Sequence, residues 1–317
     1  MFCTGGFLLD DPPPVPHTSA VRAAVIFNPA AKGDKARSFR ASLDTIARHC
    51  TLKRTLAPAD ATRLAAEAVN EGHDTIIAAG GDGTLNEVLN GIAQTPGGLE
   101  QTRLGVLPLG TVNVFARELG LPTQPHLAWP VLLAAAERRI DLPFAEWNSS
   151  GQTHRRYFAQ LAGAGLDARA IELTSWSLKK KIGPGAYIVA GLRALAEKPV
   201  NLQVRTAVQS AAGQLVLIGN GRLYGGSFRV FPDADLSNGQ LEICVFPKVN
   251  WLTLVRCGAT LLTRRQLPES CVVRLRAPSV TLTADRPTRF EVEGELAEPL
   301  PVTFGLLPRA LRVLVPK

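Results

Sequence analysis

The chain has 317 residues, 46% hydrophobic and 20% charged, with a formal net charge of +8. That length can bury two cores, the composition is that of a globular chain and not a disordered or fibrous one, and the basic excess favours anionic partners. Five cysteines with no CxxC pair argue against a disulfide framework and for a reducing compartment, and no apolar run reaches the roughly 18–20 residues of a membrane span.

Residues 1–20 carry Asp10, Asp11 and three consecutive prolines from Pro12, without a basic n-region, and read as a disordered lead-in and not a signal peptide. Regular patterning begins at Val21. Residues 21–28 read as a buried strand, and Phe39, Leu43 and Ile46 recur on one helical face. Leu64, Ala65, Ala68 and Val69 mark another helix, closed by Gly72. Residues 75–79 and 104–107 are strands, with the helical stripe Leu85, Val88, Leu89 and Ile92 between them, and further helices are expected near 112–119 and 130–139. Strands alternating with helices predict an α/β domain on a mainly parallel sheet over residues 21–141.

Residues 142–305 change character. Short β-prone runs at 157–162, 200–208, 214–218, 241–246, 272–275, 280–283 and 290–293 are divided by Gly, Pro and Asn turns. Phe290 and Val292 alternate with Glu291 and Glu293, in against out. This predicts an antiparallel β-sandwich, with helical insertions at 184–196 and 251–263.

The chemistry concentrates in Thr75-Ile-Ile-Ala-Ala-Gly80-Gly81-Asp82-Gly83-Thr84-Leu85-Asn86-Glu87-Val88, a strand, a glycine turn and a helix. Glycines let backbone N–H groups approach a phosphate, and the helix start adds its positive end. Asp82 in the turn is placed to hold Mg2+ or to orient an attacking hydroxyl. No Gly-Lys-Ser/Thr follows, so this is not a Walker loop. Thr84 and Glu87 also satisfy a capping box, which accounts for both residues without a ligand.

Residues 80–88 resemble the signature of the diacylglycerol kinase and sphingosine kinase catalytic-domain family, in its bacterial lipid-kinase branch. Further segments match in order: Asn28-Pro29 with Gly33, Leu107-Pro108-Leu109-Gly110-Thr111 with Asn113, Ile140-Asp141, and Gly163, Gly165, Asp167 and Ala168. The resemblance implies an ATP- and Mg2+-dependent kinase of a diacylglycerol-like lipid hydroxyl. It places Asn28, Thr55, Gly80, Gly81, Asp82, Gly83, Thr84, Leu85, Asn86, Thr111 and Glu295 around the nucleotide, and residues 306–317 back on the first domain. It implies a cytoplasmic protein that visits the inner membrane surface.

Three positions depart from the family pattern. Where its members carry Asp-Gly-Glu, this chain has Glu293-Gly294-Glu295, so the catalytic base is expected to be Glu293, one methylene longer. Asn238 stands where an Asp helps to hold a structural Mg2+, leaving Asp235, Asn238 and Gln240 as the candidate metal set. Val114 replaces an Asp after Asn113, leaving Asp82 and Asp141 for the polar network at the phosphates. Lys179, Lys180 and Lys181 beside an apolar segment suit either an anionic bilayer or plain solvation.

Other chemistries find little support. Gly163, Gly165 and Ala168 imitate a dinucleotide fingerprint but lie in the β-rich half. The histidines form no zinc pattern, no GxSxG elbow appears, and basic and aromatic residues do not interleave as nucleic-acid binding requires. Two alternatives stay open: an NAD kinase-like phosphotransferase that shares the GGDGT string, and a nucleotide- or lipid-binding protein that has lost catalysis. Oligomeric state is not legible.

Overall fold

Four runs form the parallel part of the first, ten-stranded sheet. They are β1 (Ala23–Phe27), β2 (Thr51–Arg54), β3 (Thr75–Gly80) and β4 (Arg103–Pro108), parallel and in the order β2-β1-β3-β4. Helices cover the sheet, so β3 is buried along its whole length, as a parallel strand with both faces covered must be. The helices are α1 (Asp60–Asn70), α2 (Asp82–Gln94), α3 (Gly98–Gln101), α4 (Val114–Glu118) and α5 (Pro125–Leu133). The structure is a computed structural model and describes residues 22–29, 46–47, 50–173, 195–264 and 266–317. The lead-in 1–20, Phe39, Leu43, Gly33, the lysines 179–181 and most of the helix expected at 184–196 lie outside the described residues; Ile46 is in the core.

The remainder contributes β5 (Ala136–Ser149), β6 (Gln152–Tyr157), β7 (Leu161–Gly165), α6 (Leu166–Leu173), β8 (Leu202–Arg205), β9 (Ser210–Gly213) and β10 (Leu215–Gly219). There follow β11 (Leu223–Tyr224), β12 (Phe228–Arg229), β13 (Leu241–Phe246), α7 (Trp251–Arg264), β14 (Val273–Ala277), β15 (Ser279–Ala284), β16 (Arg289–Val292), β17 (Glu295–Pro299) and β18 (Val302–Val315). The first sheet continues β4-β18-β15-β8-β9, and an antiparallel sheet of order β14-β13-β10-β7-β16-β17 packs on its β15-β8 end. Phe158, Phe290 and Phe304 meet edge to face in that core. The expected class, an α/β unit followed by an antiparallel sandwich, is the observed one.

Alternation along β10 and β13 feeds two layers. Val216, Ile218, Ile243 and Val245 point into the sandwich. Leu215, Leu217, Cys244 and Phe246 point to a third cluster on the outer face, where Cys257 of α7 is seated. β18 joins the two halves: Val313 pairs in parallel with Leu104 of β4, while its first residues pair antiparallel with β15.

Three local expectations are corrected. The helix expected at 130–139 ends at Leu133, because residues from Ala136 onward pair with Leu311–Val315, and a strand partner outweighs a weak helical pattern. The run 157–162 is two strands, broken where the amides of Ala159 and Gln160 leave the ladder to meet a side chain. Glu291, expected on a solvent face, has 0% exposure, since β16 is an inner strand covered on both sides. Among the described residues Cys50, Cys244, Cys257 and Cys271 are free thiols, and no helix is long and apolar enough to cross a membrane.

Candidate active site

The site begins where β1, β3 and β4 end. The Gly80 carbonyl accepts the N–H groups of Leu109 (2.8 Å) and Gly110 (3.3 Å), which ties the loop after β3 to the loop after β4. A Cβ on Gly110 would lie 2.6 Å from the Gly81 Cα, and one on Gly80 would lie 2.4 Å from Thr84 Oγ1. The two loops are in backbone contact, an approach that only glycine permits. Asn28 Nδ2 donates to Thr84 Oγ1 at 3.1 Å, the Thr55 N–H donates to the Phe27 carbonyl at 3.0 Å, and Thr111 is exposed on the second loop. Leu85 turns into the core.

The capping box does not form. Helix α2 starts at Asp82 with Gly81 as N-cap, so Thr84 stands too far along to cap. Glu87 instead accepts the N–H groups of Ala59 (3.2 Å) and Ala61 (3.1 Å) at the start of α1.

Two carboxylates come together across the cleft. Burial raises the Asp82 carboxyl above its ordinary pKa, against the backbone N–H groups of Phe115, Val114 and Asn113, which lower it. Val114 therefore contributes a main-chain donor here whatever its side chain. Asn113, at φ 53°, clasps Gly110 through both amide atoms, at 3.0 and 2.7 Å. Opposite, Glu293 Oε1 accepts the N–H groups of Ala159 (2.8 Å) and Gln160 (2.7 Å). Burial, with repulsion from Asp82, pushes Glu293 up to about 7 against those amides. Glu293 and Gly294 both have positive φ, 53° and 79°, so the turn is held in an unusual shape.

The second half of the cleft is fastened to α2. Asn90 Oδ1 accepts the Tyr157 N–H and its Nδ2 donates to the Tyr157 carbonyl, both at 2.9 Å. Glu295 pairs with Arg156 and is the side chain nearest to Gly83, its Oε1 3.8 Å from where a Cβ would stand. Asn86, with its amide turned so that the oxygen meets Arg156 at 2.9 Å, links that pair to the glycine loop.

A second acidic layer lies behind the Glu293 turn, and the sequence reading did not select it. Glu291 Oε2 accepts the Gly294 N–H at 2.7 Å, while its buried Oε1 has no hydrogen-bond partner. Asp167 accepts the Tyr224 hydroxyl at 3.0 Å and is pushed up to about 6 by burial. Burial raises Glu291 well above the ordinary range, and repulsion from Asp167 adds to it. Helix α6, which carries Asp167 and packs on β7, β16 and β17, covers this face, and the sequence pattern gives no sign of it.

The candidate metal set sits elsewhere, in the turn before β13. Asp235 Oδ1 accepts from the Ser237 N–H and hydroxyl, both at 2.9 Å, and from Arg138, while Asn238 Oδ1 accepts the Gln240 N–H at 2.9 Å. Asp141 binds the N–H groups of Gly239 (2.6 Å) and Arg309 (2.8 Å), so it braces this turn against β18 and does not join the glycine loops. Among the described residues no three His, Cys, Asp or Glu side chains cluster as a metal cage. A lone carboxylate, Asp82, beside a glycine cradle fits Mg2+, which is usually held by one or two carboxylates together with substrate phosphates.

The family described as "Diacylglycerol kinase catalytic domain" matches residues 22–144, and that described as "YegS C-terminal NAD kinase beta sandwich-like domain" matches residues 160–315. The chain is 33% identical over 261 residues to a diacylglycerol kinase of Staphylococcus haemolyticus, covering 81% of this chain and 76% of the relative. It is 32% identical over 260 residues to a diacylglycerol kinase of Staphylococcus aureus, covering 81% and 79%. In three dimensions it resembles a diacylglycerol kinase from Bacillus anthracis, with TM-score 0.73 at 23% identity over 94% of this chain and 98% of the other. Yeast NADH kinase, solved with NADH, shares the fold at TM-score 0.55 and 8% identity, over 95% of this chain and 85% of the other.

Proposed function

We propose a function from one premise: this chain belongs to the diacylglycerol kinase family. In this reading it is a kinase that moves the terminal phosphoryl group of ATP onto the hydroxyl of a diacylglycerol-like lipid, with Mg2+. The observation that carries it is the opposition of Asp82 on the glycine loop and Glu293 across the cleft, with Glu293 pushed up to about 7 by burial and by Asp82. A carboxyl with that pKa is ionised in part at neutral pH and still basic enough to take a proton.

The residues divide the work. Gly80, Gly81, Gly83 and Gly110 let main chain approach the phosphates. Asn28, Thr55, Thr84, Leu85, Asn86 and Thr111 line or support that cradle. Bound Mg2+ would supply charge neutralisation for the phosphate oxygens, and Asp82 is the residue to hold it. Glu293 accepts the lipid hydroxyl's proton, its carboxylate held by the Ala159 and Gln160 amides. Those two amides support a glutamate as base, because they fix one oxygen of its carboxylate. Misplacement by about an ångström can cost about 100-fold in rate. Glu295, paired with Arg156, closes the cradle over Gly83. Asp235, Asn238 and Gln240 remain candidates for a separate structural cation.

Incubation with γ-labelled ATP, Mg2+ and, separately, diacylglycerol, ceramide, phosphatidylglycerol or NAD tests the reading. Label on a lipid is expected. Label on NAD would replace the proposal with a nucleotide kinase, and nucleotide binding without any label would make the chain a binding protein.

A further inference from the structure

Helix α7 is covered less than its sequence warrants. Among its fourteen residues only Cys257 is buried, although the run is rich in Leu, Val and Trp. At about 100° per residue, Trp251, Leu252, Val255, Ala259 and Leu262 fall within one arc roughly 100° wide. That arc is separate from the side that seats Cys257 and packs Leu261 on the sheet. Exposure is 59% at Trp251, 64% at Leu252, 63% at Val255 and 77% at Leu262, so four of the ten exposed large hydrophobic side chains among the described residues lie on this helix.

The charge around the arc has one sign. Lys248 precedes the helix and Arg256 borders the arc, while Arg264 in the last turn falls on the side of Cys257, and no Asp or Glu occurs from Pro247 to Pro268. Arg256 donates to the Ser270 hydroxyl, and none of these three cations has a carboxylate partner among the described residues. The cluster beneath α7 also packs Leu166 and Tyr224, the neighbours of Asp167, so the helix caps the same sheet that carries the Glu293 turn.

We propose that the arc Trp251, Leu252, Val255, Ala259 and Leu262 docks on an anionic bilayer, with α7 lying in the plane of the headgroups. An amphipathic helix with cations at its margins has the chemistry for such a surface, and Trp251 at one end suits the boundary between apolar and wet layers. A second copy of the chain is a poorer occupant, because a symmetric contact would bring the cations at the arc's margins toward one another. The choice of a bilayer rests on the lipid-kinase reading, since that substrate resides there.

Flotation with vesicles of phosphatidylcholine, alone or mixed with phosphatidylglycerol, tests the proposal, read without nucleotide so that it does not depend on turnover. The full chain is expected to float with the anionic vesicles and to lose that on raising salt. The double variant Leu252→Glu, Val255→Glu is expected to bind at least about tenfold more weakly, while its turnover of a short-chain lipid dispersed as monomers is unchanged. Should the double variant not fold, Trp251→Phe in the full chain decides: the emission shift on adding anionic vesicles is expected to vanish. Unchanged flotation of the double variant, or an unchanged emission shift in Trp251→Phe, overturns the proposal. A wild-type dimer that the double variant converts to monomer assigns the face to a second copy instead. Flotation without label transfer would leave the docking face standing and remove the kinase.

Discussion

The turn after β3 and the turn after β16 face each other, and each presents a carboxylate from the end of a buried strand by opposite means. At Gly80–Asp82 side chains are removed: glycines bring two backbones together, and amides at the start of α4 turn to Asp82. At Glu291–Glu295 charge is crowded: three carboxyl groups, two of them enclosed, are strung on five residues beside Asp167. The first turn makes an acceptor for anions from backbone dipoles. The second denies its carboxylates solvent, which pushes Glu293 up to about 7. A tight turn thus needs no fixed recipe to present a carboxylate; under the proposed function the first turn meets a phosphate and the second a proton.

The largest effect should come from breaking either carboxylate. Glu293→Gln keeps a side chain of the same shape but cannot take a proton, and turnover should fall by about 10²–10⁴-fold with nucleotide affinity retained. Asp82→Asn should lose turnover to a similar extent, about 10³-fold, in a chain whose circular dichroism is unchanged. Full activity in either variant would separate that turn from the chemistry.

Next comes the close approach of the two loops. Gly110→Ala would put a methyl 2.6 Å from the Gly81 Cα and 2.9 Å from Asn113 Oδ1. We expect a loss of stability of about 1–3 kcal/mol and a weaker nucleotide complex by calorimetry. The same change at Gly239, around which a Cβ meets nothing within 4 Å, should cost only its positive φ of 72°.

The pH dependence sharpens the contrast. If Glu293 works as the base, kcat/KM should fall about tenfold per pH unit below about 7 and level off above it. Stability should run the other way. Glu291 and Glu293 are raised above the ordinary value of 4.5, so the folded chain holds protons that the unfolded chain has released. Their stabilising contribution is present below that ordinary value and is lost as pH rises through the folded values, near 7 for Glu293. Glu291→Gln removes one such loss while keeping an acceptor for the Gly294 N–H. It should raise the Tm at alkaline pH, and less so near pH 5, in paired thermal melts of the two proteins. A fall in Tm there would mean that Glu291 is stabilised as an anion.

Legibility followed the same divide. Gly80 and Gly81 were readable because a strand, a glycine turn and a helix are contiguous, and contiguous residues report their own backbone needs. Glu291 reads from its sequence as solvent-facing, because a two-residue period tells which side a residue takes and not whether that side is covered. Glu87 fitted a capping box by spacing, yet it serves α1, whose bare amides lie beside it only after folding. The family resemblance groups Asp141 with the phosphate network, and the fold sends it to Gly239 and Arg309.

The order of residues by itself determined the class of each half, the glycine loop and the kind of helix that follows it, because periodicity and conformational freedom are properties of neighbours along the chain. Tertiary structure alone decided that β5 replaces the end of a helix, that β18 threads from the sandwich into the first sheet, and that Asp82 and Glu293 share one cleft. Strand pairing and desolvation depend on what lies across from a residue, and for these groups the partner is far away in sequence.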